Sequence, residues 1–140
     1  MFDNILLAVD GSDHALHAAR TAASLANAMS SKVVRVVVAY APIPAYLGEP
    51  YLHDAINARL SESERIIQKA VEVMGAVSAQ VYTGPIEGDP AEAIIEVART
   101  RESDLIVMGS RGLGRLTGML LGSTSQKVVA HAPCPVLIVR

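Results

Sequence analysis

The stretch of sequence that decides the fold is residues 5–39, ILLAVDGSDHALHAARTAASLANAMSSKVVRVVVA. It begins with five apolar residues at 5–9, a run too short for a helix, which predicts a buried strand. Apolar residues then recur at helical spacing over 13–29, and most are alanine, which suits a helix packed closely on a sheet. Residues 33–39 are mostly valine and predict a second buried strand. Strand, helix and strand together form the unit from which parallel sheets are built.

The same alternation continues to the end of the chain. Prolines and a glycine within 42–50 predict a loop, and a helical stripe follows over 52–74, with Gly75 as its stop. Asp89 followed by Pro90 predicts the start of a third helix. Three further strands are predicted, at 77–82, 105–108 and 135–139, with turns at 84–85 and 88–90.

The last helix is predicted to begin with a capping box formed by Ser123 and Gln126. The complete order is β-α-β-α-β-α-β-α-β, and apolar strands separated by helices indicate a parallel sheet covered on both faces. With right-handed crossovers this predicts an α/β fold, a single doubly wound five-stranded parallel sheet of Rossmann-like type. We expect one domain over residues 1–140. Ligands bind such sheets beyond the carboxyl ends of the strands, here predicted at 10–11, 39–40, 82–84 and 109–110.

Composition narrows the class of protein. Twelve Lys and Arg against fourteen Asp and Glu give a formal net charge of −2, so we expect no nucleic-acid partner. The single cysteine, Cys134, excludes a disulfide framework and a cysteine-rich zinc site. No stretch has the length and apolar character of a membrane span, and the first residues do not resemble a signal peptide. The expected compartment is the cytoplasm, with no membrane partner.

Charge is distributed unevenly along the chain. Residues 105–140 carry four basic side chains and no acidic one, a formal +4, whereas the first 104 residues carry −6. Such an asymmetry suits an anion site, and the alternative interpretation is the ordinary fluctuation of charge in a short window.

The densest functional signal is the glycine-rich segment, residues 109–125, GSRGLGRLTGMLLGSTS. Its glycines allow close approach to a phosphate, and a helix beginning at 123 offers free N–H groups and a positive dipole end. Arg111 and Arg115 add positive charge. The segment matches neither the P-loop nor the dinucleotide fingerprint. The alternative interpretation is a flexible glycine loop followed by an ordinary capped helix.

The spacing Gly109-x2-Gly112-x9-Gly122-Ser123 resembles the ATP-binding signature of the universal stress protein family. Four other segments resemble that family's strands and third helix, so that the resemblance covers essentially residues 2–140: ILLAVDGS, GDPAEAIIEVA, DLIVMGSRG and PCPVLIV. It implies an adenine nucleotide alpha hydrolase-like fold that binds ATP, with Mg²⁺ as a companion of the phosphates. It also implies a homodimer formed through the C-terminal strand.

The resemblance also implies roles for individual residues. Asp10 would lie near the ribose and the base, and the backbone of Ala39 would contact adenine. Ala39 stands where the family often has valine, so apolar packing on the base would be thinner. The remaining implied residues line the ribose and phosphate path or hold the phosphates: Met108, Gly109, Arg111, Gly112, Gly122, Ser123, Thr124 and Ser125.

Several candidates have simpler interpretations. Asp10 also suits an ordinary Asp-Gly-Ser turn, and either it or Ser12 suits the cap of the first helix. His14 and His17 have a spacing that suits a metal, but no third ligand is apparent, and we expect a solvated helix face. Cys134 has no basic neighbour in sequence that would make it reactive.

Three functions therefore remain open from the sequence. The first is a nucleotide-responsive ATP-binding homodimer in stress adaptation. The second is a slow ATPase or phosphotransferase, which the lack of a second motif carboxylate disfavours. The third is a dimeric interaction scaffold in which bound nucleotide is incidental.

Overall fold

The computed structural model describes residues 1–112 and 120–140. Five strands and four α-helices alternate along the described chain, with one short 3-10 helix. In chain order they are β1 Asn4–Ala8, α1 Asp13–Met29, β2 Val33–Tyr40, the 3-10 helix Ala45–Leu47, α2 Tyr51–Met74, β3 Gln80–Glu87, α3 Pro90–Thr100, β4 Leu105–Gly109, α4 Ser123–His131 and β5 Val136–Val139.

The strands form one parallel sheet in the order β3-β2-β1-β4-β5. The predicted doubly wound α/β fold is confirmed. Chain order reverses beside β1, which pairs with β2 on one side and, across about a hundred residues of sequence, with β4 on the other (Ile5 opposite Leu105). Successive side chains of β1 point to opposite faces, where α1 and α2 bury one face and α3 and α4 the other.

Helix α1 lies unusually close to the sheet. Its buried face consists only of alanines: Ala15, Ala18, Ala19, Ala22, Ala23 and Ala26. Gly109, the last residue of β4, contacts the start of this helix so closely that a Cβ there would lie 2.8 Å from the His14 Cβ and 2.9 Å from the His14 carbonyl carbon. Small side chains on both elements therefore set the distance between helix and sheet.

Strand β3 differs from its prediction. It was expected at 77–82 with a turn at 84–85, but it runs from Gln80 to Glu87, through Gly84 and Pro85. Eight-residue β2 pairs with it along its whole length, from Val33 opposite Gln80 to Tyr40 opposite Glu87. Proline is tolerated because β3 is an edge strand whose outer side needs no ladder donor. The carboxyl end of β3 is therefore at Glu87 and not at 82–84.

The two predicted helix starts have different outcomes. Asp89 caps α3 as expected, since its carboxylate accepts the Glu92 N–H at 3.2 Å. The prediction of a capping box at the start of α4 is wrong. Gly122 is the N-cap, Ser123 is already helical, and the Gln126 side-chain amide donates to the Leu121 carbonyl at 2.9 Å.

Helix α2 is the longest described helix, at 24 residues. Its buried residues all lie in its second half. Its buried residues are Ser63, Ile67, Ala70 and Met74. Nothing before Ser63 in this helix is buried, although Tyr51, Ile56 and Leu60 are apolar. Within residues 1–112 and 120–140, no helix combines the length and the apolar character needed to cross a bilayer.

We expect Gly109→Ala to lower the free energy of unfolding by about 1–3 kcal/mol, because the added methyl would overlap the backbone of α1. Urea denaturation measures the change. The matched control is Gly84→Ala, where a Cβ meets nothing within 4 Å and the expected change is within about 0.5 kcal/mol. Equal stability of the two variants would contradict the close packing of α1.

Candidate functional site

A cavity of about 240 Å³ opens at the carboxyl ends of β1 and β4, where the strand order reverses. Its walls come from strands β1, β2 and β4, the turns that follow them, and the first turns of α1, α3 and α4. Every residue in the described ranges that the family resemblance assigned to the nucleotide lines it: Asp10, Ala39, Met108, Gly109, Arg111, Gly112, Gly122, Ser123, Thr124 and Ser125. Arg115, the other candidate cation, lies outside the described residues.

One wall is the N-terminus of α4. The backbone of Gly122 is extended, and the first helical bond runs from the Gln126 N–H to the Gly122 carbonyl at 3.0 Å. The N–H groups of Ser123, Thr124 and Ser125 precede that bond and so have no acceptor within the helix. Within the described chain no side chain caps this helix. Free N–H groups at the positive end of a helix dipole make this wall suited to an anion.

The opposing turn after β4 is tied to the start of α4. The Gly122 N–H donates to the Ser110 carbonyl at 2.7 Å, and the Ser125 hydroxyl donates to the Gly109 carbonyl at 2.9 Å. Ser125 is only 3% exposed, so its hydroxyl serves the shape of the site, whereas the sequence had assigned it to phosphate. Residues 109–112 and 122–125 therefore form one backbone cradle.

Asp10 joins the cradle from β1. One carboxylate oxygen accepts the Ser12 N–H at 2.9 Å, and Ser12 in turn caps α1 by accepting the Ala15 N–H at 3.2 Å. The other oxygen faces Gly112, where a Cβ would come within 2.5 Å of it. The turn interpretation of Asp10 is confirmed through one oxygen, and its binding role stays a prediction.

The cavity also has an apolar lining, here called the apolar slot, from strand ends and the first turn of α3: Ala8, Val9, Ala39, Pro90, Ile94 and Met108. Ala15 of α1 also lines the cavity and lies beside Gly109. Pro90 and Ile94 were not among the predicted site residues. Ile94 was assigned to the inner face of α3, and the signal that could have placed it here is the position of that helix directly after a strand end. An apolar slot facing a polar cradle suits a ligand with a flat ring at one end and an anion at the other.

The electrostatics of the cavity are simple. Among the described residues that line it, Arg111 is the one cation and Asp10 the one carboxylate. No group of three or more metal-ligating side chains occurs within 1–112 and 120–140. The described part of the site therefore offers N–H donors and one cation to an anion.

The surroundings of His14 differ from those predicted from the sequence. His14 and His17 were expected on a solvated face, and His17 is indeed exposed, with its Nδ1 3.0 Å from the Arg140 carbonyl oxygen. His14 is half-buried, and its Nδ1 shares a hydrogen bond of 2.8 Å with the Ser110 hydroxyl. Helical spacing alone could not show this, because the contact depends on how closely α1 packs on β4.

Cys134 lies away from the cavity, just before β5, and is half-buried. Burial raises the pKa of its thiol, and the negative charge of Asp104 raises it further. A raised pKa means less thiolate at neutral pH, which fits the expectation of an unreactive cysteine.

Comparison with known proteins gives consistent matches along the whole chain. The family model described as "Universal stress protein family" matches residues 1–140. A Thermus aquaticus protein, the universal stress protein in the QAH/OAS sulfhydrylase 3′ region, is 49% identical over 140 residues. The match covers 100% of this chain and 100% of that protein.

Solved structures agree with the sequence matches. Universal stress protein UspA from Lactobacillus plantarum is 28% identical with a TM-score of 0.85, over 99% of this chain and 98% of that one. A universal stress protein solved in complex with cAMP is also 28% identical, with a TM-score of 0.75, over 97% of this chain and 95% of that one.

We expect Cys134 to react with iodoacetamide more slowly in the folded protein than in urea-unfolded protein, with a higher pH midpoint for the reaction. The physical reason is that burial and Asp104 both disfavour the thiolate, which is the reacting form. Asp104→Asn removes only the second cause and should lower the midpoint part of the way. A folded midpoint at or below the unfolded one would contradict this assignment.

Proposed function

The chain belongs to the universal stress protein family, and from that premise we propose that it binds an adenine nucleotide, ATP, and acts as a nucleotide-responsive homodimer in stress adaptation. The observation that carries the proposal is one cavity lined both by the N-terminus of α4, which no described side chain caps, and by apolar side chains. The relative solved with cAMP supports an adenine nucleotide as the ligand class. We place this activity in the cytoplasm, because a reducing compartment keeps an unpaired cysteine such as Cys134 in its thiol form.

The proposed pose of the nucleotide follows from the apolar and the polar residues that line the cavity. The base occupies the apolar slot, with the backbone of Ala39 at its edge and Met108 on the wall. The ribose lies near the outer oxygen of Asp10. The phosphates lie against the free N–H groups of residues 123–125, with Arg111 supplying positive charge.

Binding is better supported than hydrolysis. Phosphoryl transfer needs a positioned base and carboxylates that hold a metal, and Asp10 is the one carboxylate among the described lining residues. A Mg²⁺ ion bound with ATP would therefore take most of its ligands from phosphate oxygens and water. We propose nucleotide sensing as the main function and regard slow turnover as secondary.

The dimer is proposed to form through β5. This strand lies at one edge of the sheet beyond β4, and Leu137 on it is 36% exposed. An edge strand offers unpaired N–H and C=O groups to a copy of itself across a two-fold axis. Pairing of two β5 strands would also cover the apolar side chains of this edge.

Ser123→Asp tests the phosphate end of the site. Ser123 is exposed at the first helical position, so the new carboxylate should leave the stability equal or slightly higher through the helix dipole. The same charge should repel phosphate, and we expect at least about a tenfold loss of ATP affinity by isothermal titration calorimetry.

The matched control is Ser123→Asn, which has the same shape without the charge. We expect it to bind ATP within about threefold of wild type, since that ratio corresponds to well under the 1.4 kcal/mol of a tenfold change. Equal ATP affinity in the Asp and Asn variants would contradict phosphate binding at α4. A folded wild-type protein that binds no adenine nucleotide at millimolar concentration would overturn the proposed function altogether.

Leu137→Lys tests the dimer. The charge lies on the exposed side of β5, so the monomer should fold normally while strand pairing is lost, and sedimentation velocity should show a shift from dimer to monomer. Val129→Lys on α4 is the control, because Val129 is 49% exposed and lies on a helix. A dimer that survives Leu137→Lys, or that is lost equally in both variants, would contradict pairing through β5.

A further inference from the structure

Ser110 lies behind the cradle at the point where three elements meet. Its N–H donates to the Val139 carbonyl of β5 at 2.8 Å, and its carbonyl accepts the Gly122 N–H of the α4 cap at 2.7 Å. Its side chain is buried, with only 2% of the residue exposed. The residue does not line the cavity, but both of its chain neighbours, Gly109 and Arg111, do. A change in the orientation of Ser110 would therefore move both halves of the cradle.

The remaining bond of Ser110 is made by His14. The Ser110 hydroxyl and the His14 Nδ1 lie 2.8 Å apart, and which atom donates depends on the tautomer of the ring. The Cβ and backbone of His14 lie so close to Gly109 that there is no room for a side chain at position 109. The imidazole thus connects the start of α1 to the turn after β4, from outside the cavity.

We propose that His14 is a positioning residue for the phosphate-binding half of the site: through Ser110 it holds residues 109–112 in register with the N-terminus of α4. The proposal rests on the proposed nucleotide binding. Loss of the imidazole leaves the buried Ser110 hydroxyl without this partner, and an unsatisfied buried polar group drives local rearrangement. The turn then shifts relative to Gly122, and the N–H groups of the cradle no longer converge on one phosphate. The apolar slot for the base does not include His14 or Ser110 and keeps its shape.

The test compares two substitutions at one position. His14→Leu keeps an apolar side chain of similar bulk but removes the hydrogen-bonding atom. His14→Asn is the conservative variant, because its side-chain amide places a polar atom as many bonds from the Cα as Nδ1 is. His17→Leu is the control on the same helix, since His17 is exposed and contacts Arg140 instead of Ser110.

Affinities for ATP and for adenosine are measured by calorimetry or by displacement of a fluorescent ATP analogue, beside urea unfolding of each variant. We expect His14→Leu to weaken ATP binding about tenfold while adenosine changes less than about twofold, a difference in selectivity that general loss of stability would not produce. His14→Asn should recover most of the ATP affinity, and His17→Leu should leave it unchanged.

If His14→Leu does not fold, His14→Ala also leaves the Ser110 hydroxyl without this partner and should show the same selectivity. The proposal is overturned if the variants bind ATP as wild type does, if ATP and adenosine weaken equally, or if Asn fails to recover what Leu loses. Failure of the wild-type protein to bind ATP is a different result, and it would overturn the proposed function instead.

Discussion

Close packing between helix α1 and strand β4 is the constraint on which the site depends. A buried face made only of alanine lets the helix approach the sheet. At the end of β4, Gly109 has no side chain that would overlap the start of the helix. The approach brings the start of α1 to the turn after β4. Asp10 then reaches Gly112, and His14 reaches Ser110. With larger side chains along this interface the helix would lie further from the sheet, and His14 would not reach Ser110.

Some polar groups of the cradle hydrogen-bond to each other and hold it together, while others point toward the cavity and can bind a ligand. The Ser125 hydroxyl and the Gly122 N–H hold its two backbone segments together by donating to the Gly109 and Ser110 carbonyls. Backbone N–H groups at the start of α4 are left over, and their direction is set by the helix itself. Rigid donors of this kind require no side-chain ordering when an anion binds, which is a general advantage of backbone recognition. Glycine at 112 serves the same purpose by leaving room for the Asp10 carboxylate.

How much the sequence could predict follows from the range of the interactions involved. The order of strands and helices, and the strand ends that meet at the cavity, depend on local periodicity and on general rules for parallel sheets. Strand β3 was placed too early because its bounds come from pairing with β2 and not from its own residues. The unexpected contact of His14 with Ser110 has the same origin, because its partner is distant in sequence and lies outside any local window. The capping box at Ser123 is wrong for a local reason, since the Gln126 side chain bonds to the Leu121 carbonyl instead.

The pairing of Ile5 with Leu105 has a consequence for how the molecule is made. During synthesis β1, α1 and β2 emerge early and can associate, but the central partner of β1 appears about a hundred residues later. Contacts this distant are slow to form, since the intervening chain must be ordered before they contribute. The cavity spans this late pair and also needs α4, so it forms only after α4 has left the ribosome. A molecule in which the cavity is present has therefore already paired β1 with β4.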